Sequence, residues 1–167
     1  MAVYSLKTVQ KIPVTLEKAW QFFSTPANLQ EITPGHLGFK ILSLYHGKTM
    51  YAGQIIEYTV KPIMSIPLYW MTEITHVENQ KYFVDEQRYG PYSMWHHQHH
   101  FKEIDGGVEM TDIVHYKLPF GFLGTLANSL LVQRQLNMIF SFRFEKTEAV
   151  FGKWSSVQSV DIVFHKS

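Results

Sequence analysis

From Phe39 to Lys117 the chain passes through six β-rich runs, at residues 39–45, 54–60, 69–77, 82–88, 93–104 and 108–117, with only short connections between them. A parallel crossover needs about a dozen residues or more, so neighbours in this stretch pair antiparallel. Connections such as Glu78-Asn79-Gln80, Gly90-Pro91 and Asp105-Gly106-Gly107 carry the turn chemistry that hairpins require. A chain with such a central half folds around one antiparallel sheet or not at all.

The flanks follow a different period. Residues 4–14 are rich enough in Val, Ile and Tyr to form a strand, with Pro13 at its edge. Thr15 then caps a short helix with Ala19, Trp20 and Phe23 on one side, and Thr25-Pro26 opens a second that Leu29 and Ile32 anchor and Thr33-Pro34-Gly35 ends. Beyond the strands, residues 122–151 read as one long helix, with Val132, Leu136, Ile139, Phe140 and Val150 on a single stripe. At full length it reaches roughly 40 Å, enough to cross a small sheet. The order predicts an α+β fold in which a curved antiparallel sheet closes on a C-terminal helix. Residues 1–151 form one domain and 152–167 a tail, in which Val160, Ile162 and Phe164 alternate like a strand without indicating a pairing partner.

Composition narrows the chemistry. With 167 residues, of which 46% are apolar, one packed unit is expected. A formal charge of +1 gives no argument for a nucleic-acid or anionic-membrane partner. The absence of Cys removes disulfides, thiolate metal sites and thiol catalysis. No secretory signal is visible at the N-terminus and no uninterrupted apolar stretch is long enough for an integral membrane segment, so a cytoplasmic location is the expectation. Nor is there a G-x-S-x-G elbow, a P-loop or a G-x-G-x-x-G turn, and no cofactor is expected.

What remains is His, carboxylate, hydroxyl and Arg. Four of the nine His fall within residues 90–101. Strand parity puts Trp95, His97, His99 and Phe101 on one face, the inner one by its aromatics, and His96, Gln98 and His100 on the other. Two His at i, i+2 with Glu103 four residues on also suit a cupin-like metal site, but a cupin does not end in a long helix, and no metal is expected. On the last strand Val108, Met110, Asp112, Val114 and Tyr116 share a face, apolar except for one carboxylate. A buried carboxylate needs a partner. The long helix presents Arg143 where its stripe calls for an apolar residue, and Arg143 is expected to pair with Asp112 or with one of Asp85 and Glu86.

Four segments carry a family resemblance: FSTPANLQEITP from Phe23, FVDEQRYGPYSMWHHQHHF from Phe83, DIVHYKLPFGFLG from Asp112 and LNMIFSFR from Leu136. Over residues 3–150 the chain resembles the ligand-binding SRPBCC proteins of the START-like, or birch-pollen-allergen-like, superfamily. The resemblance implies a helix-grip fold: a seven-stranded antiparallel sheet wrapped around a long C-terminal helix, with two short helices after the first strand. It also implies an apolar cavity between sheet and helix, and members of the superfamily include lipid carriers, polyketide aromatase/cyclases and coenzyme Q chaperones. No shared catalytic set carries over. On this basis the expected function is carriage of a hydrophobic small molecule such as a lipid, quinone or polyketide. The expected ligand-binding wall is Tyr58, Trp70, Trp95, His97, His99, Phe101, Val114, Tyr116 and Phe140, with Asp112 and Arg143 beside it. The alternatives are a cyclase or dehydratase with His97 or His99 as general acid/base, its tautomer fixed by Asp112 or Tyr116, and a protein-interaction module or homodimer built on the tail strand.

Overall fold

A computed structural model of the chain describes residues 2–43, 49–63, 66–119 and 131–166. β1 (Tyr4–Ile12) ends just before Pro13, which has no N–H to give to a ladder. α1 (Leu16–Phe23) starts at Thr15, whose side chain accepts from the Lys18 amide, and buries Ala19, Trp20 and Phe23. The strands that follow are β2 (Lys40–Ile41), β3 (Gln54–Ile63), β4 (Ile66–Glu78), β5 (Tyr82–Tyr89), β6 (Met94–Ile104) and β7 (Gly107–Lys117). Then come α2 (Gln133–Phe151) and β8 (Val163–Lys166).

Among the described residues the strands form one sheet of eight in the order β2-β3-β4-β5-β6-β7-β1-β8, and every neighbouring pair is antiparallel. The expected seven are joined by β8, where the tail pairs Phe164 with Leu6 and so finds its partner in β1. Register shifts interrupt β3–β4 between Val60 and Ile63, and β4–β5 between Met71 and Thr72 and between Ile74 and His76. Irregularities of this kind bend and twist a sheet. The described part of α2, about 28 Å long by its 19 residues, lies along the inner face.

Three expectations need correction. The second short helix is a five-residue 3-10 turn, Pro26–Gln30, followed by another at Gly35–Leu37. Prolines at both ends leave no room for an α-helical ladder. The strand expected at 39–45 pairs only at Lys40 and Ile41, because the Leu42 and Ser43 amides both converge on the Glu57 carbonyl, at 2.8 and 3.3 Å, and this ends the regular ladder; Leu44 and Tyr45 lie outside the described residues. The long helix is seen from Gln133, the expected stretch 122–130 also lying outside them. Its inner stripe is Leu136, Phe140, Phe144 and Thr147, and Val150 is exposed because the last turn instead lays Phe151 on Phe22 and Phe23.

The core has two main centres. Trp20 and Phe23 of α1 meet Phe83 and Phe101 at one end, while Leu6, Val114 and Tyr116 meet Leu136 and Phe140 at the other. The polar site lies between them.

Candidate functional site

Alternation along β6 and β7 is regular: His97, His99 and Phe101 are buried on one strand, and every second residue from Val108 to Tyr116 on the other. Register then decides which groups meet. His97 stands opposite Asp85 of β5, and His99 stands opposite Asp112 of β7. Two imidazoles on one strand are thus flanked by a carboxylate on each side.

The four side chains close into a ring. Asp112 Oδ1 lies 2.9 Å from His97 Nε2 and 2.8 Å from His99 Nδ1. Asp85 Oδ2 lies 2.9 Å from His99 Nε2 and 3.4 Å from His97 Nδ1. The rings are 3.8 Å apart between centroids, Phe83 stacks on His99, and Phe140 of α2 meets His97 edge-on. Arg143 descends from α2 over the Phe23 ring, with Nη2 3.6 Å from Asp112 Oδ1 and 3.3 Å from His99 Nδ1. Of the carboxylates considered for Arg143, Asp112 is the one it reaches. Glu86 faces outward, bound to Arg88 and His96.

Burial sets up a contest between desolvation and pairing at each group. Burial pushes the Asp112 carboxyl up, but Arg143 and the two His outweigh it and hold it well below the usual carboxylate range. For Asp85 burial is likewise outweighed, by His97 and His99, and its pKa is lowered. Burial also lowers His97, and the charge of His99 lowers it further. At His99 burial is overcome by hydrogen bonds to Asp112 and Asp85, and the pKa rises. The cluster is therefore two carboxylates balanced by His99 and Arg143, with His97 neutral.

Beside it lies a cavity of about 560 Å³ between sheet and helix, within the size range of small-molecule sites. Tyr58, Trp70, Trp95, His97, His99, Phe140 and Arg143 line it. Phe101, Val114 and Tyr116, expected in the wall, do not, and Asp112, expected beside it, does not line it either. Phe101 is spent on Trp20 and Phe23, Val114 and Tyr116 on the core around Leu6, and Asp112 sits behind the His pair. Tyr116 is not placed on either His; it stacks on Tyr4. Glu103, considered as a metal ligand, is exposed.

Among the lining residues that escape sequence reasoning, two bear on the polar site and the aromatic wall. Asp85 figures there only as a partner for Arg143, and Tyr92 sits in a turn that nothing marks as inward. Gln87 holds that turn, donating from Nε2 to the Tyr92 carbonyl and accepting from its amide, at 2.7 and 3.2 Å. Tyr58, Tyr92 and Trp95 surround Trp70 with centroids 5.5–5.8 Å away. Burial raises the pKa of both tyrosines, and the Tyr58 hydroxyl pairs with Thr72 at 3.1 Å. The Trp70 Nε1–H is buried with no hydrogen-bond partner among the described residues.

No protein-family model matches the chain, and no curated protein does. Solved structures do. Protein Ms6760 from Mycobacterium smegmatis superposes with a TM-score of 0.63 at 15% identity, over 87% of this chain and 89% of that one. TTHA0849 from Thermus thermophilus gives 0.61 at 14% identity, over 87% and 98%. Ara h 8.0201 gives 0.56 at 15% identity, over 88% and 99%. The chain has the helix-grip fold. At such identities the likeness carries the fold and nothing finer. Among the described residues of this helix-grip chain, no helix is long and apolar enough to cross a membrane.

Proposed function

We propose that the chain binds a hydrophobic small molecule in the cavity between sheet and C-terminal helix. A flat, oxygen-bearing ring system of quinone or polyketide type suits it better than an acyl chain. The observation that carries this reading is the wall itself: Tyr58, Trp70, Tyr92 and Trp95 supply aromatic surface beside the polar His97 and His99. His97, neutral and with its Nε2 proton engaged by Asp112, presents Nδ1 as an acceptor for a ring hydroxyl. Native mass spectrometry of the purified protein, followed by solvent extraction, tests the idea. The expected result is a co-purifying ring compound, or saturable one-to-one binding of a hydroxyanthraquinone probe that Trp70→Leu weakens about tenfold through lost ring contact. An empty protein that binds neither that probe nor a fatty acid overturns the reading.

One observation favours a catalytic variant of the same reading. A neutral His97 whose Nε2–H points at Asp112 has a fixed tautomer, as a general base requires. Turnover of an enolisable ring ligand that survives His97→Ala combined with His99→Ala excludes this pair as the acid and base.

A further inference from the structure

The two imidazoles are not bound alike on their two sides. On one side a single buried oxygen, Asp112 Oδ1, accepts from His97 Nε2 and His99 Nδ1 at 2.9 and 2.8 Å. This leaves the other two ring nitrogens, His97 Nδ1 and His99 Nε2, converging with Asp85 Oδ2. One donor atom from each of Asp85, His97 and His99 lies within 4.8 Å of the others. All three residues line the cavity, whereas Asp112 does not.

This is the arrangement of metal-binding histidines, in which the ring nitrogen away from the ion is held by a carboxylate that fixes tautomer and orientation. The contact between His97 Nδ1 and Asp85 Oδ2 agrees with it. At 3.4 Å the two atoms are farther apart than an ordinary N–H···O hydrogen bond and stand at the spacing of neighbouring ligands on one cation. The proton joining His99 Nε2 to Asp85 Oδ2 at 2.9 Å occupies the place of that cation on the other edge. Ligand atoms of a tetrahedral zinc site stand about 3.3 Å apart, from metal–ligand bonds near 2.0–2.1 Å, so the change asked of the site is a few tenths of an ångström at this edge.

We propose that Asp85 Oδ2, His97 Nδ1 and His99 Nε2 form a site for a divalent transition-metal ion of the zinc type, its remaining coordination positions open to the cavity. Two imidazoles and one carboxylate favour zinc and its first-row neighbours over calcium or magnesium, which take oxygen ligands. The metal displaces the His99 Nε2 proton to solvent. The cluster then holds two carboxylates against a dication and Arg143, and the surplus positive charge draws a water, a hydroxide or an anionic ligand oxygen to the open position. Asp112 is a positioning residue and does not touch the metal.

The test uses the metal alone. The full chain, stripped with a chelator and dialysed, is titrated with Co²⁺ and then Zn²⁺. One Co²⁺ per chain is expected, with the visible absorption of a low-coordinate site, displaced by Zn²⁺. Asp85→Asn abolishes the band, Asp112→Asn weakens binding about 10- to 100-fold, and His96→Ala with His100→Ala on the outer face changes nothing. Histidine ring ¹⁵N spectra of the unmodified chain keep the test independent of how the variants fold: Zn²⁺ should shift the resonances of His97 and His99 and leave those of His96 and His100. The absence of a saturable band, or shifts confined to the outer-face histidines, overturns the proposal. Because no organic ligand enters the experiment, its failure leaves the cavity reading standing, and an empty cavity leaves this site standing.

Discussion

A carboxylate taken out of water must find its charge partners among the side chains its neighbours present. At Asp112 these are two imidazoles from β6 and one guanidinium from α2. Replacing Arg143 with Met keeps most of the apolar stem but removes the one permanent cation. Breaking a buried pair in this way costs about 3 kcal/mol, which for a domain of this size lowers the melting temperature by roughly 10 °C. Thermal and urea unfolding measure it, and an unchanged midpoint would mean that the His pair suffices for Asp112. A second residue-scale prediction concerns the β6–β7 turn. A Cβ at Gly107 would lie 2.1 Å from the Ile12 carbonyl oxygen and 2.9 Å from the Trp154 ring, and the first of these is backbone. Gly107→Ala should therefore cost at least about 2 kcal/mol through overpacking. Gly106→Ala, at φ +81° with only an ordinary contact, should cost about 1 kcal/mol through backbone strain. Equal losses in urea unfolding would refute the steric account. Much of this site was legible beforehand, because side-chain parity on a strand is a fixed period: His97, His99 and Asp112 fall on the inner face by counting, and Arg143 breaks the apolar stripe of its helix. Asp85 was not recognised as the partner of the two His. Its role depends on the β5–β6 register, which places it opposite His97 and which no local pattern reports. Parity also gives a face without giving depth along it, which is why Phe101, Val114 and Tyr116 went to the cores at either end.

At the scale of elements, the tail is where the sequence was least informative. Val160, Ile162 and Phe164 alternate, but the ladder contains only Val163–Lys166, and its partner is the first strand of the chain. Strand pairing across such a separation leaves no local trace. Before the ladder begins, Gln158 imitates a strand with its amide, accepting from the Lys11 N–H at 2.7 Å and donating to the Lys11 carbonyl at 2.9 Å. The tail therefore covers the β1 edge within its own chain, which uses the pairing that a partner's sheet was considered to need. Removing residues 153–167 should cost at least about 2 kcal/mol, since the two Gln158 bonds alone are worth about 1 kcal/mol each and the β8 ladder is lost with them. It should also leave β1 open to association. Light scattering across a concentration series separates two outcomes. A full-length monomer whose truncated form associates supports cover in cis. A full-length dimer that truncation dissolves means that the tail pairs between chains.

For the whole molecule, the aromatic residues serve two ends. Some close the cores around Trp20 and around Tyr116, and others stand around a space of about 560 Å³ that the sheet and α2 leave between them. A hollow interior forfeits packing energy in proportion to its volume, so the fold tolerates the space at a cost that a tenant or a larger side chain would offset. Ile139 faces that space from α2 beside Val60 and Trp70, and it is only partly buried there. Ile139→Trp adds ring surface where the proposed ligand would lie, without touching the His–Asp cluster. The expected result is a separation of two quantities that a damaged fold would lose together: binding of the hydroxyanthraquinone probe falls by about tenfold or more, equivalent to about 1.4 kcal/mol, while the ligand-free melting temperature holds or rises. Fluorescence titration and a thermal melt on the same sample read both. If binding is kept, the probe does not occupy the space beside Ile139. If the melting temperature falls with binding, the helix and sheet were already in contact there, and the interior is less hollow than a 560 Å³ cavity implies.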